Sequence, residues 1–353
     1  MLKTIKLENF RSHKKTEFKL GHTNIVFGPN GAGKTNILEA FSVLSFCRSF
    51  RMDDKRNIIN IDSEYCRVVG DELEIFMSRM PRLILKVKIK GTPKKLADFV
   101  GYLPAVVFSP ETVAVITGAP GDRRRFLDIM ISQVDRGYLT ALSNFKKIRQ
   151  QRNSLLQNIS KGLNDPEELS FWDKEFCREA EIISKKRGES VRYLNKQVPT
   201  IYKQISDDNK DIISLKYLSN FEGDLLDNLE RGRQRDIAYG GTIYGPHRDD
   251  LIFTLNNQNM ANFASRGELK SAILALKMAE LSYLEQNRNE ERGGEKPILL
   301  LDDIFSEFDS IRRDHLAKLI LQYQSVITTT EKENVPEELL KEANIIEIKG
   351  PIG

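Results

Sequence analysis

Cysteine is scarce in this sequence. Cys47, Cys66 and Cys177 are the three cysteines among 353 residues, and they lie far apart along the chain. An odd number at such wide spacing gives neither a disulfide framework nor the short paired spacing of a metal site. The pattern therefore excludes a disulfide-stapled scaffold and a cysteine-ligated metal site, and it is typical of a reducing cytoplasm.

Long apolar runs and a strong charge of either sign are also missing. No apolar stretch reaches the roughly 20 residues that cross a bilayer, and Met1–Ile5 lacks the apolar core of a signal peptide. Lys and Arg number 54 against 50 for Asp and Glu, so the formal net charge is +4. This mild excess does not by itself indicate a nucleic-acid partner. We therefore expect a cytoplasmic protein without a membrane partner.

Hydrophobic residues make up 40% of the chain, enough for buried cores in two domains or in one domain with a large insertion. Apolar periodicity separates strands from helices. Strands are expected at Thr4–Phe10, Asn24–Phe27, Val68–Phe76, Leu83–Ile89, Ile212–Leu218, Leu251–Leu255, Pro297–Leu301 and Ser325–Thr329. Helices are expected at Lys34–Phe46, Asp122–Asn158, Glu167–Ile205, Glu268–Asn287 and Ser310–Leu321, with a polar loop through Gly293 and Gly294.

Eight consecutive residues match the phosphate-binding P-loop pattern in full. They are Gly28, Pro29, Asn30, Gly31, Ala32, Gly33, Lys34 and Thr35. A predicted strand precedes them and a predicted helix follows, and this context disfavours a glycine-rich turn with a chance lysine. The glycines let backbone N–H groups face the phosphates, Lys34 reaches the β- and γ-phosphates, and the Thr35 hydroxyl is a ligand for Mg²⁺. The motif predicts that the chain binds ATP and Mg²⁺.

A second motif supplies carboxylates. The aliphatic run Ile298–Leu301 predicts a central parallel strand that is buried on both faces, and Asp302 and Asp303 end it. Open α/β sheets bind ligands at this end of their strands. We expect Asp302 to hold the Mg²⁺ and Asp303 to be the base that orients the attacking water, so that both act with Lys34 in catalysis. The alternative is an ordinary strand followed by an Asp-rich turn.

The start of a later helix resembles the signature segment of ABC ATPases. A serine cap at Ser265 and an acidic first turn at Glu268 are explained equally well by an ordinary helix start. The functional interpretation is that Ser265 and Gly267 receive the γ-phosphate of ATP held by another subunit. We favour it because Asp302 follows at the distance that this class shows, and because Ser306–Asp309 resembles the D-loop of such ATPases.

Two switch residues of transporter ATPases are missing. No Gln occurs before Gln133, and threonines at Thr328 and the two following positions end the late strand where a His would stand. Asp303 occupies the place where many ABC ATPases have Glu, and its shorter side chain has less reach to the water. We expect slow ATP hydrolysis, which suits a protein that times a step better than one that performs mechanical work.

Six further segments carry a more specific resemblance. They are Ile5–His13, Ser49–Arg51, Pro110–Glu111, Ile116–Pro120, Arg123–Asp128 and Tyr244–Leu251. Together they resemble the hallmarks of the RecF family of bacterial DNA-repair proteins, over nearly the whole chain. Glu268 stands where the family usually has Gln, and Phe308 stands where Leu is usual. The first departure bears on the fine geometry of the signature segment.

The motifs and the resemblance together imply an α/β fold, an ABC-type P-loop ATPase head with a mostly helical inserted second domain. We place the head at 1–110 and 240–353 and the insertion at 111–239. The resemblance also implies a recombination mediator that forms an ATP-dependent homodimer and binds junctions of single- and double-stranded DNA. Such mediators work with RecR and RecO, help to load RecA at gaps, and have a weak, DNA-stimulated ATPase activity.

The residues themselves support DNA binding less directly. Lys146, Lys147 and Arg149 are spaced to form a broad basic face on a predicted helix, which would contact phosphates and recognise DNA shape rather than sequence. A solvated helix surface explains them equally well. Arg123 and Arg124 are candidates for a basic surface or for pairing with acidic residues of the same region.

Other functions are less consistent with the sequence. For His247 and Arg248, nucleotide sensing and a structural turn stay open as alternatives. An ATPase subunit of a membrane transporter would carry the missing Gln and His switches. An SMC-like chromosome organiser needs long coiled-coil arms, for which 353 residues leave no room.

Overall fold

The computed structural model describes residues 1–51, 54–206, 210–288 and 296–349. The polar loop expected through Gly293 and Gly294 lies outside the described residues. No helix in the described ranges is long and apolar enough to cross a membrane.

The chain divides into two units. The first comprises Met1–Val113, Ile201–Asp207 and Lys270–Gly353, and the second comprises Ala114–Thr200 and Asp208–Leu269. The strands are β1 (Thr4–Phe10), β2 (His13–Lys19), β3 (Thr23–Phe27), β4 (Tyr65–Gly70), β5 (Leu73–Ser78), β6 (Ile84–Ile89), β7 (Thr92–Lys94), β8 (Ala105–Phe108), β9 (Ile213–Leu218), β10 (Asp250–Leu255), β11 (Gln258–Asn259), β12 (Ile298–Asp302), β13 (Ser325–Thr329) and β14 (Asn344–Glu347). The helices are α1 (Lys34–Phe46), α2 (Leu96–Phe99), α3 (Ala114–Thr117), α4 (Pro120–Ser132), α5 (Arg136–Ser160), α6 (Leu169–Ile205), α7 (Leu225–Tyr239), α8 (Met260–Phe263), α9 (Arg266–Gln286), α10 (Ser310–Ile320) and α11 (Glu337–Lys341).

A parallel sheet in the order β14-β3-β13-β12-β8 forms the centre of the first unit. β12 pairs with β13 on one side and β8 on the other, and all five of its residues are buried. This placement explains the aliphatic run Ile298–Leu301, because a central parallel strand has no solvent face. Since the strands are parallel, the carboxyl ends of β3, β12 and β13 lie at one edge, where the sheet can bind a ligand.

An antiparallel sheet in the order β2-β1-β4-β5-β6-β7 completes the first unit. Helix α1 contacts strands of both sheets, including β12 and β4. Its apolar residues are accordingly buried on several faces, among them Leu38, Phe41 and Leu44. The helix that begins at the P-loop is therefore held by packing on both sides.

The second unit contains helices α4 to α7 and the antiparallel sheet β11-β10-β9. Its helices meet around Arg152 of α5, which is fully buried. The Arg152 guanidinium bonds Asp173 of α6 and Asp236 of α7, each at 2.7 Å, and both carboxylates are fully buried. This ion pair network joins three helices in one place.

Several expected elements are wrong in detail. The strand expected at Val68–Phe76 is a hairpin of β4 and β5, because the alternation continues through a turn at Asp71, whose φ is 45°. The helix expected at Asp122–Asn158 is two helices, since Asp135 caps the start of α5 by accepting a bond from the Tyr138 N–H. The strand β8 and the helix α7 were not expected from the sequence.

We predict that Arg152→Ala destabilises the second unit by about 3–5 kcal/mol, because it leaves the buried Asp236 carboxylate without its ion-pair partner and the buried Asp173 carboxylate with Arg233 alone. The chain has one tryptophan, and Trp172 packs against the buried cluster that includes Leu156 and Leu169 of this unit. Its fluorescence during urea unfolding therefore reports on this unit. Arg178→Ala is the control, since that side chain is 61% exposed in its ion pairs and should leave the transition in place. Equal shifts in both variants would contradict the prediction.

Candidate nucleotide-binding site

The P-loop connects β3 to α1 through glycines that the geometry requires. A Cβ at Gly28 would lie 2.5 Å from the carbonyl oxygen of Ile348, so no side chain fits there. Gly31 and Gly33 have φ angles of 78° and 95°, in the left-handed region that favours glycine. The loop therefore depends on these residue types for its shape.

The N-terminus of α1 is open to an anion. Gly33 caps it without any side-chain hydrogen bond, and first-turn N–H groups have no acceptor within their own helix. The Lys34 ammonium donates to the carbonyls of Gly28 and Pro29 at 2.7 and 2.9 Å, which holds it against the loop. Burial lowers the pKa of Lys34, although the charges of Asp303 and Asp302 oppose this. The loop thus presents N–H donors and one fixed cation, which suits phosphate groups.

Asp302 at the end of β12 lies beside the P-loop. Its Oδ1 accepts a hydrogen bond from the Thr35 hydroxyl at 3.0 Å and another from the Thr328 hydroxyl at 2.6 Å. Burial raises the pKa of Asp302, and these two bonds oppose the rise. A hydroxyl and a carboxylate at this separation are hard oxygen donors of the kind that Mg²⁺ prefers. Thr35 and Asp302 therefore fit a magnesium ion at the phosphate loop.

Asp303 has an unusual backbone conformation and a carboxylate oxygen that is available to accept a hydrogen bond. Its φ of 49° and ψ of 28° are left-handed, a conformation that Asp adopts more readily than most residues. Its Oδ1 is buried and has no hydrogen-bond partner within the part of the chain that the structure describes. Burial raises the pKa of Asp303, and the charge of Lys34 opposes the rise. A carboxylate oxygen that is free to accept a bond beside the phosphate loop fits the base expected there.

Thr328 was missed as a functional candidate by the sequence analysis. Besides bonding Asp302, its carbonyl and hydroxyl oxygens each accept a bond from the Asp303 N–H at 3.1 Å. One threonine therefore positions both carboxylate residues. The signal that would have found it is register, because Thr328 is the parallel pairing partner of Asp302 in the sheet.

The signature segment lies at the exposed start of α9, on the second unit. The Ser265 hydroxyl accepts from the Glu268 N–H at 3.3 Å, and the Ser265 N–H donates to the Glu268 carboxylate at 2.6 Å. This reciprocal pair is a capping box, as the ordinary helix start requires. Apart from its chain neighbours and the nearby backbone of its own helix, no atom of the described residues lies within 4 Å of a Cβ placed on Gly267. The capped start therefore leaves space beside it for a ligand.

The D-loop is tied to neighbouring parts of the first unit. The Ser306 hydroxyl donates to the Asp303 carbonyl at 2.7 Å, and Lys270 pairs with Glu307 at 3.2 Å. Arg312 donates to the Ser271 hydroxyl at 2.7 Å and also bonds Asp309. The body of α9 is thereby joined to the segment that follows the carboxylates.

The basic candidates of the second unit separate into two groups. Lys146 and Lys147 are exposed on α5, and Arg149 is half-buried. Arg123 pairs with Asp250 at 2.6 Å, and Arg124 donates to the Asp249 carbonyl at 2.7 Å. Arg123 thus has the pairing role that the sequence left open.

Comparison with known proteins places the chain among ATPase relatives. The model of the RecF/RecN/SMC N-terminal domain matches residues 1–349. The DNA replication and repair protein RecF of Listeria monocytogenes serotype 4b is 34% identical, with 97% of this chain and 96% of the relative covered. RecF of Clostridium kluyveri is 33% identical over 99% of this chain and 98% of its own.

Solved structures are similar to this chain as well. The recombination mediator protein RecF with ATP in the RecFOR pathway has a TM-score of 0.85 at 31% identity, covering 95% of this chain and 93% of that one. The Smc head domain of Pyrococcus furiosus, at 15% identity and a TM-score of 0.50, covers 98% of this chain and 92% of its own and shares the fold alone. The predicted α/β fold of an ABC-type ATPase with a helical insertion is confirmed.

We predict that Thr328→Val slows Mg²⁺-dependent ATP turnover by about 10- to 100-fold, since it removes a bond of about 1.5–3 kcal/mol to a charged group. Valine keeps the shape of the strand residue, so ATP binding in EDTA should be unchanged. Thr328→Ser keeps the hydroxyl and should restore most of the rate. Wild-type turnover in Thr328→Val would show that the hydroxyl does not position the carboxylates.

Proposed function

This chain belongs to the RecF/RecN/SMC N-terminal domain family and within it to the RecF family, and from this membership we propose that it is an ATP-dependent recombination mediator. In this proposal it binds ATP and Mg²⁺, dimerises on ATP, and binds junctions of single- and double-stranded DNA at gaps. It acts with RecO and RecR in the cytoplasm to help load RecA. The observation that carries the proposal is the meeting of Lys34, Thr35, Asp302 and Asp303 at one sheet edge.

Each residue of the site has a separate role in the proposed hydrolysis of ATP. The Lys34 ammonium exchanges its carbonyl acceptors for the β- and γ-phosphates, and the α1 N–H groups bind the same phosphates. Thr35 and Asp302 would hold Mg²⁺, which when bound neutralises charge on the phosphates. The free Oδ1 of Asp303 orients the attacking water and accepts its proton. The short Asp303 side chain supports a weak ATPase that acts as a switch.

The signature segment supplies the reason for a dimer. Ser265 and Gly267 begin α9 at an exposed surface with open space beside the glycine. We assign this helix start to the γ-phosphate of the ATP that a second copy binds through its own Lys34. ATP is then a bridge between the copies, and hydrolysis removes the bridging charge. Within this proposal the head is 1–110 with 240–353 and the insertion is 111–239, so 240–269 belongs to the proposed head although the structure groups it with the second unit.

We expect Asp303→Asn to keep ATP binding and to block hydrolysis, because the amide has the shape of the carboxylate without its basicity. Single-turnover hydrolysis of bound ATP measures the effect, with Lys34→Ala as the variant that should lose tight ATP binding instead. A wild-type single-turnover rate in Asp303→Asn would exclude this residue as the base.

Ser265→Arg should abolish ATP-dependent dimerisation while each monomer still binds ATP, because the bulky side chain fills the space intended for the γ-phosphate. Sedimentation with and without ATP and gapped DNA measures it. Ser154→Arg is the matched control, since Ser154 is an exposed serine on α5 and the change adds the same side chain. If Ser265→Arg still dimerises with ATP, the segment is only a capped helix start.

A further inference from the structure

A rigid loop of the second unit carries His247 and Arg248. The Arg187 guanidinium donates to the Pro246 carbonyl at 2.6 Å, and Arg124 donates to the Asp249 carbonyl at 2.7 Å. The His247 ring bonds the Thr242 carbonyl through Nε2 at 2.9 Å. The backbone of the loop and the His247 ring are therefore fixed from several sides.

One face of helix α5 is directed at this loop. Phe145, Arg149 and Arg152 are spaced by four and three residues, so they share that face. The Phe145 ring centroid lies 5.9 Å from that of His247, and Arg152 donates to the Thr242 hydroxyl at 2.7 Å. Arg149 lies between these two contacts along the helix and therefore beside the same loop.

Arg149 and Arg248 differ from the buried arginines of the unit in their partners. Arg123, Arg152 and Arg187 each bond a carboxylate. Within the described ranges, no carboxylate lies at ion-pair distance from Arg149 or Arg248. Two guanidinium groups on facing elements without a counter-charge repel each other unless an anion joins them.

The pKa values of Arg149 and His247 reflect this concentration of positive charge. Burial lowers the pKa of Arg149, and the charge of Arg248 lowers it further. Burial lowers the pKa of His247 to about 4, the Thr242 bond opposes this, and the charges of Arg149, Arg248 and Arg124 add to the lowering. The His247 Nδ1 is buried and has no hydrogen-bond partner in the described part of the chain. Positive charge is thus concentrated around a neutral ring.

We propose that Arg149 and Arg248 form a binding site for phosphodiester groups of the DNA backbone, with Lys146, three residues before Arg149, extending it along α5. Guanidinium groups bind phosphate oxygens through two parallel hydrogen bonds. Arg248 and Lys146 are exposed, so the positive surface is open and longer than a single phosphate, which favours a polymer over a free ion. The site rests on the proposed DNA binding and names the residues that perform it.

The salt dependence of DNA affinity tests the site. The double variant Arg149→Gln with Arg248→Gln should lower the slope of log affinity against log salt by roughly 0.9 for each lost contact on duplex DNA. Arg178→Gln, an exposed arginine of α6, should leave the slope unchanged. Unaltered ATP binding and an unaltered Trp172 unfolding transition show that the double variant is folded.

A spectroscopic readout distinguishes DNA from free phosphate. The chain has four histidines, so histidine labelled with ¹⁵N gives few signals, and a bound anion should raise the pKa of His247. Duplex DNA should produce this rise at a phosphate concentration where inorganic phosphate does not. A rise with inorganic phosphate alone would overturn the proposal, as would a wild-type salt slope in the double variant. Failure of the wild-type protein to bind DNA at all would overturn the proposed function as well.

Discussion

The Asp302 carboxylate accepts hydrogen bonds from two hydroxyls that reach it from different elements, Thr35 of α1 and Thr328 of β13. These bonds join the phosphate loop to two central strands of the parallel sheet. The same Thr328 fixes the backbone of Asp303, so the base expected for hydrolysis depends on the contact that holds the metal ligand. The buried sheet behind them makes this possible, since a rigid strand end positions side chains more precisely than a free loop.

The parts of this site that the sequence predicts are local. The glycines of the P-loop are required by positive φ angles and by the close approach of Ile348, and the motif contains them within eight residues. The strand before Asp302 is recognisable because a strand buried on both faces must be aliphatic throughout. Thr328 was not predictable in the same way, because it lies 26 residues from Asp302 and meets it only through strand register.

In the fold, too, the elements that depend on local sequence were predicted, and an element that depends on a distant partner was not. Helix α1 and strand β13 have the bounds that apolar periodicity predicts. Helix α7 was not predicted because it has few buried residues, and one of them is Asp236, whose partner Arg152 comes from another helix. The apolar pattern of a sequence does not reveal a buried ion pair, because a single Arg or Asp in the sequence is typical of an exposed position. Buried charge therefore accounts for the part of the second unit that periodicity misses.

The two units use charge in opposite ways. In the first, the carboxylates of the buried Asp302 and the half-buried Asp303 lie near one lysine, and burial raises the pKa of both, which suits the proton transfer proposed for Asp303. In the second, the buried arginines Arg123, Arg152 and Arg187 are neutralised by aspartates, whereas the half-buried Arg149 and the exposed Arg248 have no carboxylate partner among the described residues. In the proposed mechanism, hydrolysis at Asp303 would act on a segment that Ser306 and the Lys270–Glu307 pair join to the body of α9. Because Ser265 and Gly267 begin that helix, a change beside Asp303 has a direct covalent and hydrogen-bonded route to the residues that would meet a second copy.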